Sequence, residues 1–367
     1  MAISKNQIKQ LMEHLDNCKR PLFFFDDDQD GLCAFLQLYR YKKEGKGIIV
    51  KTTPKLGTVF LNKVQSYEPD KIFILDIADV EQGFLDKMNV PVIWIDHHGP
   101  FERENVKYFN PRISEYEDNQ PTSYMCYQIV EQGLKASDML ASMRASSHAT
   151  AEHRSHLWIG TTGCIADWFI PPFINEFKKE FPELIDKPYE VVGDIIYKTK
   201  LGCLTRIFSF ILKGKTEDVL KRINVLTRIE SPYEILQEDT AQGKFIYKIY
   251  EQVNKMYEPL INEVLNAIKK TNDKFVFFTY KDDKSSFTSD LSNEAIYRFP
   301  DKTILIAREK NDEMKCSLRS AKVVLPPIIE KCLVGLDGYG GGHEYACGLN
   351  IKTDDFEEFV RRFKGMI

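Results

Sequence analysis

Short runs made wholly of apolar residues, Leu22–Phe25, Ile72–Leu75 and Val92–Ile95, alternate with helix-patterned segments through the first hundred residues. A strand with no polar face has to be covered on both sides, so the alternation argues for a mainly parallel sheet with helices on both faces. The pattern predicts strands over 20–25, 48–52, 71–75 and 91–95, with a short one near 106–109. Helices are expected over 5–17, 31–44, 57–67 and 80–88. Another begins at Thr122, where Thr122 and Ser123 offer capping hydroxyls.

At 367 residues the chain suits two domains better than one. From 173 to 270 the pattern is almost wholly helical. Phe245, Ile249, Val253, Met256, Leu260, Val264 and Ile268 recur at spacings of three and four, which predicts one long amphipathic helix over 245–268. A second α/β region follows, with strands expected at 274–280, 302–308 and 313–319. Its helices are expected near 289–298 and 325–332, and a glycine-rich turn at 338–342. The expected fold class is therefore α/β: a parallel-sheet domain over 1–170, a helical linking region over 171–271 and a smaller α/β domain over 272–367. The segment 137–156, rich in Ala, Ser and His, reads as a surface insertion or mobile loop, with an exposed polar helix as the alternative.

The apolar fraction, 43%, is that of a globular protein and argues against extended disorder. No apolar run approaches the length of a membrane span. Lys5, Asn6, Lys9 and Gln10 interrupt the N-terminal apolar residues, so no signal peptide is read. Eight cysteines without a C-x-x-C pair argue against a zinc ribbon and for free thiols in a reducing compartment. The expected location is the cytoplasm, away from membranes. A formal charge of −4 gives no global attraction to polyanions, so local arginines or metals would have to supply it.

Three of the apolar runs are followed directly by acidic or histidine-bearing residues: Asp26-Asp27-Asp28-Gln29-Asp30-Gly31, Asp76, and Asp96-His97-His98-Gly99. The carboxyl ends of neighbouring strands in an open α/β sheet converge on one crevice. These groups are thus expected to share a small volume whose repulsion bound divalent cations would offset. If the backbone stays extended, Asp26, Asp28 and Asp30 point one way and Asp27 the other. Imidazole with carboxylate suits manganese, zinc or iron, and the excess of oxygen donors shifts the preference toward manganese or magnesium. Asp79, three residues beyond Asp76, reads as a helix cap beside the site. His148, His153 and His156, accompanied by Glu152 alone, do not read as a second metal site.

The order D-x-D-G, a lone Asp after a strand, then D-H-H resembles the DHH phosphoesterases. The likeness continues in Gly160-Thr161-Thr162-Gly163-Cys164-Ile165-Ala166-Asp167, similar to that family's fourth motif. In the second region, Ser317-Leu318-Arg319-Ser320 and Gly340-Gly341-Gly342-His343-Glu344-Tyr345-Ala346-Cys347-Gly348 resemble the signatures of the DHH-associated C-terminal domain. The resemblance implies two divalent ions, manganese by expectation and magnesium as the alternative. Asp26 and Asp28 would hold one, Asp30, His97 and Asp167 the other, and Asp76 would bridge them. It also implies catalytic roles for Asp96 and His98, with His98 near the scissile phosphate. In the C-terminal domain it implies substrate contacts from Arg319, Ser320, Gly340, Gly341, Gly342 and His343, through a planar guanidinium and closely approached backbone amides. Lys281, Lys284, Arg298, Arg308 and Lys315 read as solvated charges.

Asp at position 26, where many relatives carry His, favours the RecJ-like branch. In extent the chain is most similar to compact, archaeal-type RecJ-like exonucleases. The expected function is thus a two-metal phosphodiesterase that removes nucleotides from an end of single-stranded DNA or RNA. A replication or helicase protein is the partner implied, and the chain would act as a monomer or homodimer. The alternative is an enzyme of short substrates: a nanoRNase, a cyclic-dinucleotide phosphodiesterase or a phosphatase of nucleotide bisphosphates. The long helical middle weighs against it. A manganese pyrophosphatase shares the first domain's motifs but not the Arg319 and glycine–histidine pattern. A non-catalytic scaffold would have lost the Asp and His set that this chain retains.

Overall fold

The apolar runs become the central strands of a parallel sheet. The computed structural model describes residues 3–51, 55–142, 149–281 and 285–367, without the side chains of 137–142 and 149–151. It divides into two units, Met1–Tyr250 and Glu251–Ile367. The first begins α1 (Lys5–Asp16), β1 (Pro21–Asp26), α2 (Gln29–Lys42), β2 (Lys46–Val50), β3 (Lys55–Leu56) and α3 (Leu61–Tyr67). It continues β4 (Lys71–Leu75), β5 (Asp79–Val80), α4 (Gln82–Leu85), β6 (Val92–Ile95) and β7 (Lys107–Phe109). The main sheet has the order β2-β1-β4-β6-β7, with every neighbouring pair parallel.

Alternate side chains go to opposite faces of a strand. Phe23, Phe25, Phe73 and Leu75 therefore enter one core cluster, while Leu22, Phe24, Ile72, Ile74 and Trp94 enter another. Each such side chain contributes ~1.5–3 kcal/mol when fully buried, so two-sided burial holds these strands at the centre. The strand order reverses at β1, which lies between β2 and β4; ligands bind at the carboxyl edge of such a switch point. Register places the polar residues there. Phe25 pairs with Leu75 and Leu75 with Ile95, so Asp26, Asp76 and Asp96, each the next residue, stand at one level on three adjacent strand ends.

Helices α5 (Thr122–Ser142) and α6 (Ala149–Ala166) pack with α2 against the first face. Helices α7 (Ile174–Glu180), α8 (Val192–Lys198), α9 (Lys200–Ile211), α10 (Thr216–Leu226) and α11 (Pro232–Leu236) follow. They add Phe177, Ile195, Phe208, Ile223 and Ile235 to the same core. The expected amphipathic helix is α12 (Ala241–Lys269). Its buried stripe runs through Ile246, Val253, Tyr257, Ile261, Val264 and Ile268, whereas Phe245 and Met256 are each 40% exposed. The apolar face is thus rotated from the one expected, because Tyr and two further Ile residues widen the choice of stripe.

Within 137–156, residues 143–148, His148 among them, lie outside the described residues. The end of the segment is core, not surface: Ser155 and His156 are buried in α6, where Arg40 donates to Ser155 Oγ. Small side chains allow that close packing, and they are also what made the segment look superficial.

The second unit comprises β8 (Phe275–Lys281), α13 (Thr288–Arg298), β9 (Thr303–Lys310), β10 (Glu313–Ser320) and α14 (Pro326–Leu333), then β11 (Gly338–His343), β12 (Ala346–Lys352) and α15 (Thr353–Lys364). Its sheet has the order β11-β12-β10-β9-β8, parallel only between β8 and β9. The expected glycine turn is an edge strand instead. Gly341 faces Gly348 in an antiparallel ladder, so backbone pairing overrides the low strand propensity of glycine. Strand β12 and helix α15, which buries Phe356, Phe359, Val360 and Phe363, were not foreseen. Arg308, expected to be solvated, is buried; Lys284 lies outside the described residues. Among the described residues no helix is long and apolar enough to cross a membrane.

Candidate metal centre

Strand β1 ends at Asp26, and the chain turns at once into α2, whose N-cap is Asp28. The Asp28 carboxylate accepts the Gly31 N–H at 2.9 Å. A Cβ on Gly31 would lie 2.8 Å from Asp26 N and 2.9 Å from Asp26 O, so glycine is what lets α2 sit this close to the strand end. Asp27 is 3.2 Å from Lys51 Nζ and lies outside the ligand groups.

Asp30, in the first turn of α2, is buried. Its oxygens accept the N–H groups of Thr122 at 2.8 Å and Ser123 at 3.0 Å, so it caps α5 from another helix. Thr122 Oγ1 donates in turn to Asp76 Oδ1 at 3.1 Å. Asp76 is buried and lies at φ 61°, held by its N–H to Ile95 O at 2.9 Å. The left-handed region costs a non-glycine residue ~1–2 kcal/mol, and strain of this kind gathers at functional sites.

His97 Nε2 stands 3.4 Å from Asp76 Oδ1 and 3.7 Å from Asp167 Oδ2. Asp167 directly follows the last residue of α6. His98 Nδ1 is 2.7 Å from Asp96 Oδ1. The other Asp96 oxygen accepts the Tyr108 hydroxyl at 3.0 Å, the His98 N–H at 3.2 Å and Asn110 Nδ2 at 3.3 Å. Asp96 therefore fixes the ring of His98. Three sets of ligand atoms each gather within 4.8 Å: Asp26, Asp28 and Asp76; Asp76, His97 and His98; Asp30, His97 and Asp167. Asp76 and His97 each belong to two sets, so the three form one connected centre.

Burial, reinforced by the neighbouring carboxylates, raises Asp26, Asp76 and Asp167 well above the usual carboxyl range. For Asp30, burial and the Asp28 charge outweigh its two N–H donors and push it up to about 7. Burial alone would lower His98, but its bond to Asp96 and the surrounding carboxylates lift it to about 9. Divalent cations would reverse this mutual repulsion. The donor set, hard oxygens with imidazole, fits such ions.

Asp96 was named from sequence, but Tyr108 and Asn110, which hold it, were missed. Asn110 Nδ2 also donates to His98 O at 2.9 Å and to the Tyr108 hydroxyl at 2.7 Å, and Asn110 Oδ1 accepts the Arg112 N–H at 2.9 Å. The local signal was Asn110-Pro111, a turn-initiating pair. Asp79 is no helix cap: it lies in β5, bonded by Arg103 Nη2 at 2.8 Å, while Glu81 stands at the N-cap of α4.

In the second unit, Arg319 and His343 pair with the same residue, Ala346, from the two sides of β12. Arg319 donates to Asn293 Oδ1 at 2.6 Å, Leu318 O at 2.8 Å and Cys347 O at 3.3 Å. The Ser320 hydroxyl is buried, 3.0 Å from Thr303 Oγ1, and accepts the N–H groups of Lys322 and Val323, so it holds the turn after β10. Gly340, Gly341, Gly342 and His343 lie exposed on β11.

Fold and cluster together are those of a metal-dependent phosphodiesterase of the DHH class. Residues 22–152 match the DHH family, N-terminal domain, and residues 274–367 match the DHHA1 domain, so the chain is a DHH–DHHA1 protein. It is similar in structure to exonuclease RecJ bound to manganese (14% identity, TM-score 0.63, covering 98% of this chain and 93% of that one). It is also similar to RecJ from Thermus thermophilus in complex with Mn2+ (16%, TM-score 0.61, 98% and 54%), and so spans about half the length of that chain. CDC45 from Entamoeba histolytica shares the fold over 100% of this chain and 99% of its own, at 11% identity and TM-score 0.50. No curated protein matches the sequence.

Proposed function

We propose that the centre holds two divalent cations, manganese in preference to magnesium, and that the chain removes nucleotides from an end of single-stranded DNA or RNA. The observation that carries this reading is the connection of three ligand sets through Asp76 and His97. Asp26 and Asp28 would complete one ion's shell, and Asp30, His97 and Asp167 the other's. Two ions so placed activate water and stabilise the leaving oxygen of an in-line displacement. His98, its Nδ1 held by Asp96, would offer its other ring nitrogen to a phosphate oxygen. In the second unit the exposed glycine strand and His343 would hold the nucleic acid, with Arg319 and Ser320 fixing the end of β10 beside them. A replication or helicase protein is the partner that suits an end-acting nuclease. The likeness to exonuclease RecJ supports a strand, in preference to a dinucleotide, as substrate.

Single-stranded DNA and RNA oligomers of graded length, labelled at either end, test this in manganese with an Asp76→Ala control. Progressive shortening of long oligomers, lost in the variant, is expected, and the two labels read the polarity. Cleavage confined to dinucleotides or to a nucleotide bisphosphate would replace this reading with a short-substrate enzyme.

A further inference from the structure

Two residues of the first unit adjoin the centre along the chain or through a hydrogen bond, yet lie outside its ligand groups. Trp168 follows Asp167 directly and is 40% exposed, whereas the other two tryptophans, Trp94 and Trp158, are fully buried. Its backbone lies at φ 58°, with its N–H on Ile165 O and the Phe169 N–H on Cys164 O. This is the helix-ending conformation that glycine ordinarily fills, so a bulky aromatic there is an outlier. An exposed indole gains little there from burial, which directs attention to what it faces outside the chain.

Arg112 belongs to the turn Pro111–Ile113, tied by its N–H to the same Asn110 that bonds Asp96 and His98 O. Its guanidinium makes no ion pair or hydrogen bond among the described residues, and Nε is closed off from solvent without a partner. It rests against the Tyr116 ring, 5.9 Å from the centroid. Through Asn110, the Arg112 backbone is one residue's hydrogen bonds away from the Asp96 carboxylate and the His98 carbonyl, at the edge of the centre.

We propose that Arg112 and Trp168 form a nucleotide-holding subsite at the rim of the metal centre, with Arg112 on a phosphate oxygen and the Trp168 indole stacked on the adjoining base. The proposal rests on the phosphodiesterase reading and deepens it. A planar guanidinium suits phosphate, and it offsets the repulsion that the carboxylates of the centre exert on a polyanion. Every base has a π face, so stacking on Trp168 grips a strand without selecting its sequence.

Adenosine 5′-monophosphate tests the subsite, because it carries base and phosphate but no diester to cut. Tryptophan emission in manganese is the readout; the exposed, longer-wavelength component reports Trp168, since Trp94 and Trp158 are buried. Saturable quenching is expected, with ribose 5-phosphate competing but not quenching, and Trp168→Phe should abolish the signal. Arg112→Gln should raise the apparent Kd for the nucleotide about tenfold, with Arg112→Lys in between, and leave that for adenosine unchanged. Absence of quenching, or an unchanged Kd in Arg112→Gln, overturns the proposal. If the nucleotide quenches as described but no labelled oligomer is cut, the phosphodiesterase reading alone falls. If oligomers are cut and the nucleotide does not quench, the subsite alone falls.

Discussion

Asp30 is pulled in two directions. It caps α5 through the N–H groups of Thr122 and Ser123, yet burial and Asp28 raise its carboxyl to about 7. Asparagine would remove the opposed charge and keep one of the two accepting oxygens, its NH2 then facing the second N–H and offsetting part of the gain. Asp30→Asn should therefore melt higher than the wild type at about pH 8 without metal, by a few degrees for ~1 kcal/mol. Its gain in melting temperature on adding manganese should shrink. A lower midpoint with an undiminished response to manganese would make Asp30 a cap alone. Asp96 would act at one remove, through its 2.7 Å contact with His98 Nδ1. Asp96→Asn should lower kcat about 10–100-fold, the usual cost of losing a partner that orients a site histidine. Steady-state hydrolysis of a labelled oligomer, compared with Tyr108→Phe, checks it; Tyr108→Phe should cost less, because Asp96 retains its other donors.

The approach of α2 to β1 depends on Gly31. A methyl group there meets the backbone of Asp26, which cannot yield as a side-chain end can. Gly31→Ala should lower the urea midpoint by the equivalent of about 1–3 kcal/mol, the range for overpacking, and weaken manganese binding because Asp26 and Asp28 flank the displaced turn. Elements of this kind were legible in the sequence. Strands β1, β4 and β6 are apolar on both faces, so composition alone placed them inside a parallel sheet, and the acidic clusters had to follow at its carboxyl edge. Other features depend on tertiary contact. Asn110 and Arg112 come from the turn after a three-residue strand, and Trp168 from a helix end; none belongs to a periodic pattern. Strand β11 was hidden for the opposite reason, since a glycine run carries no side-chain signal at all. On α12 several apolar stripes compete, and packing selects among them.

For the molecule as a whole, the cluster couples stability to pH and to metal. Asp30 moves from 3.8 to about 7 and His98 from 6.5 to about 9, and Asp26, Asp76 and Asp167 are raised as well. Between each ordinary value and the raised one the folded chain holds more protons than the unfolded chain. The contribution of these groups to metal-free stability therefore falls as pH rises through that interval. Calorimetry should show a lower metal-free melting temperature at about pH 8 than at about pH 5, with manganese restoring more at the higher pH, where the ligands need not lose protons. At a hundredfold excess over Kd the gain is about 2.7 kcal/mol, or about 5–10 °C for a unit of this size. An equal gain at both pH values would separate the metal from the raised carboxyls.

Anomalous scattering from manganese in crystals of the chain tests the centre most directly. Two peaks about 3.5–4 Å apart are expected. One should be bound by Asp26 and Asp28, the other by Asp30, His97 and Asp167, with Asp76 on both. A single peak, or peaks away from these side chains, would contradict the two-metal account.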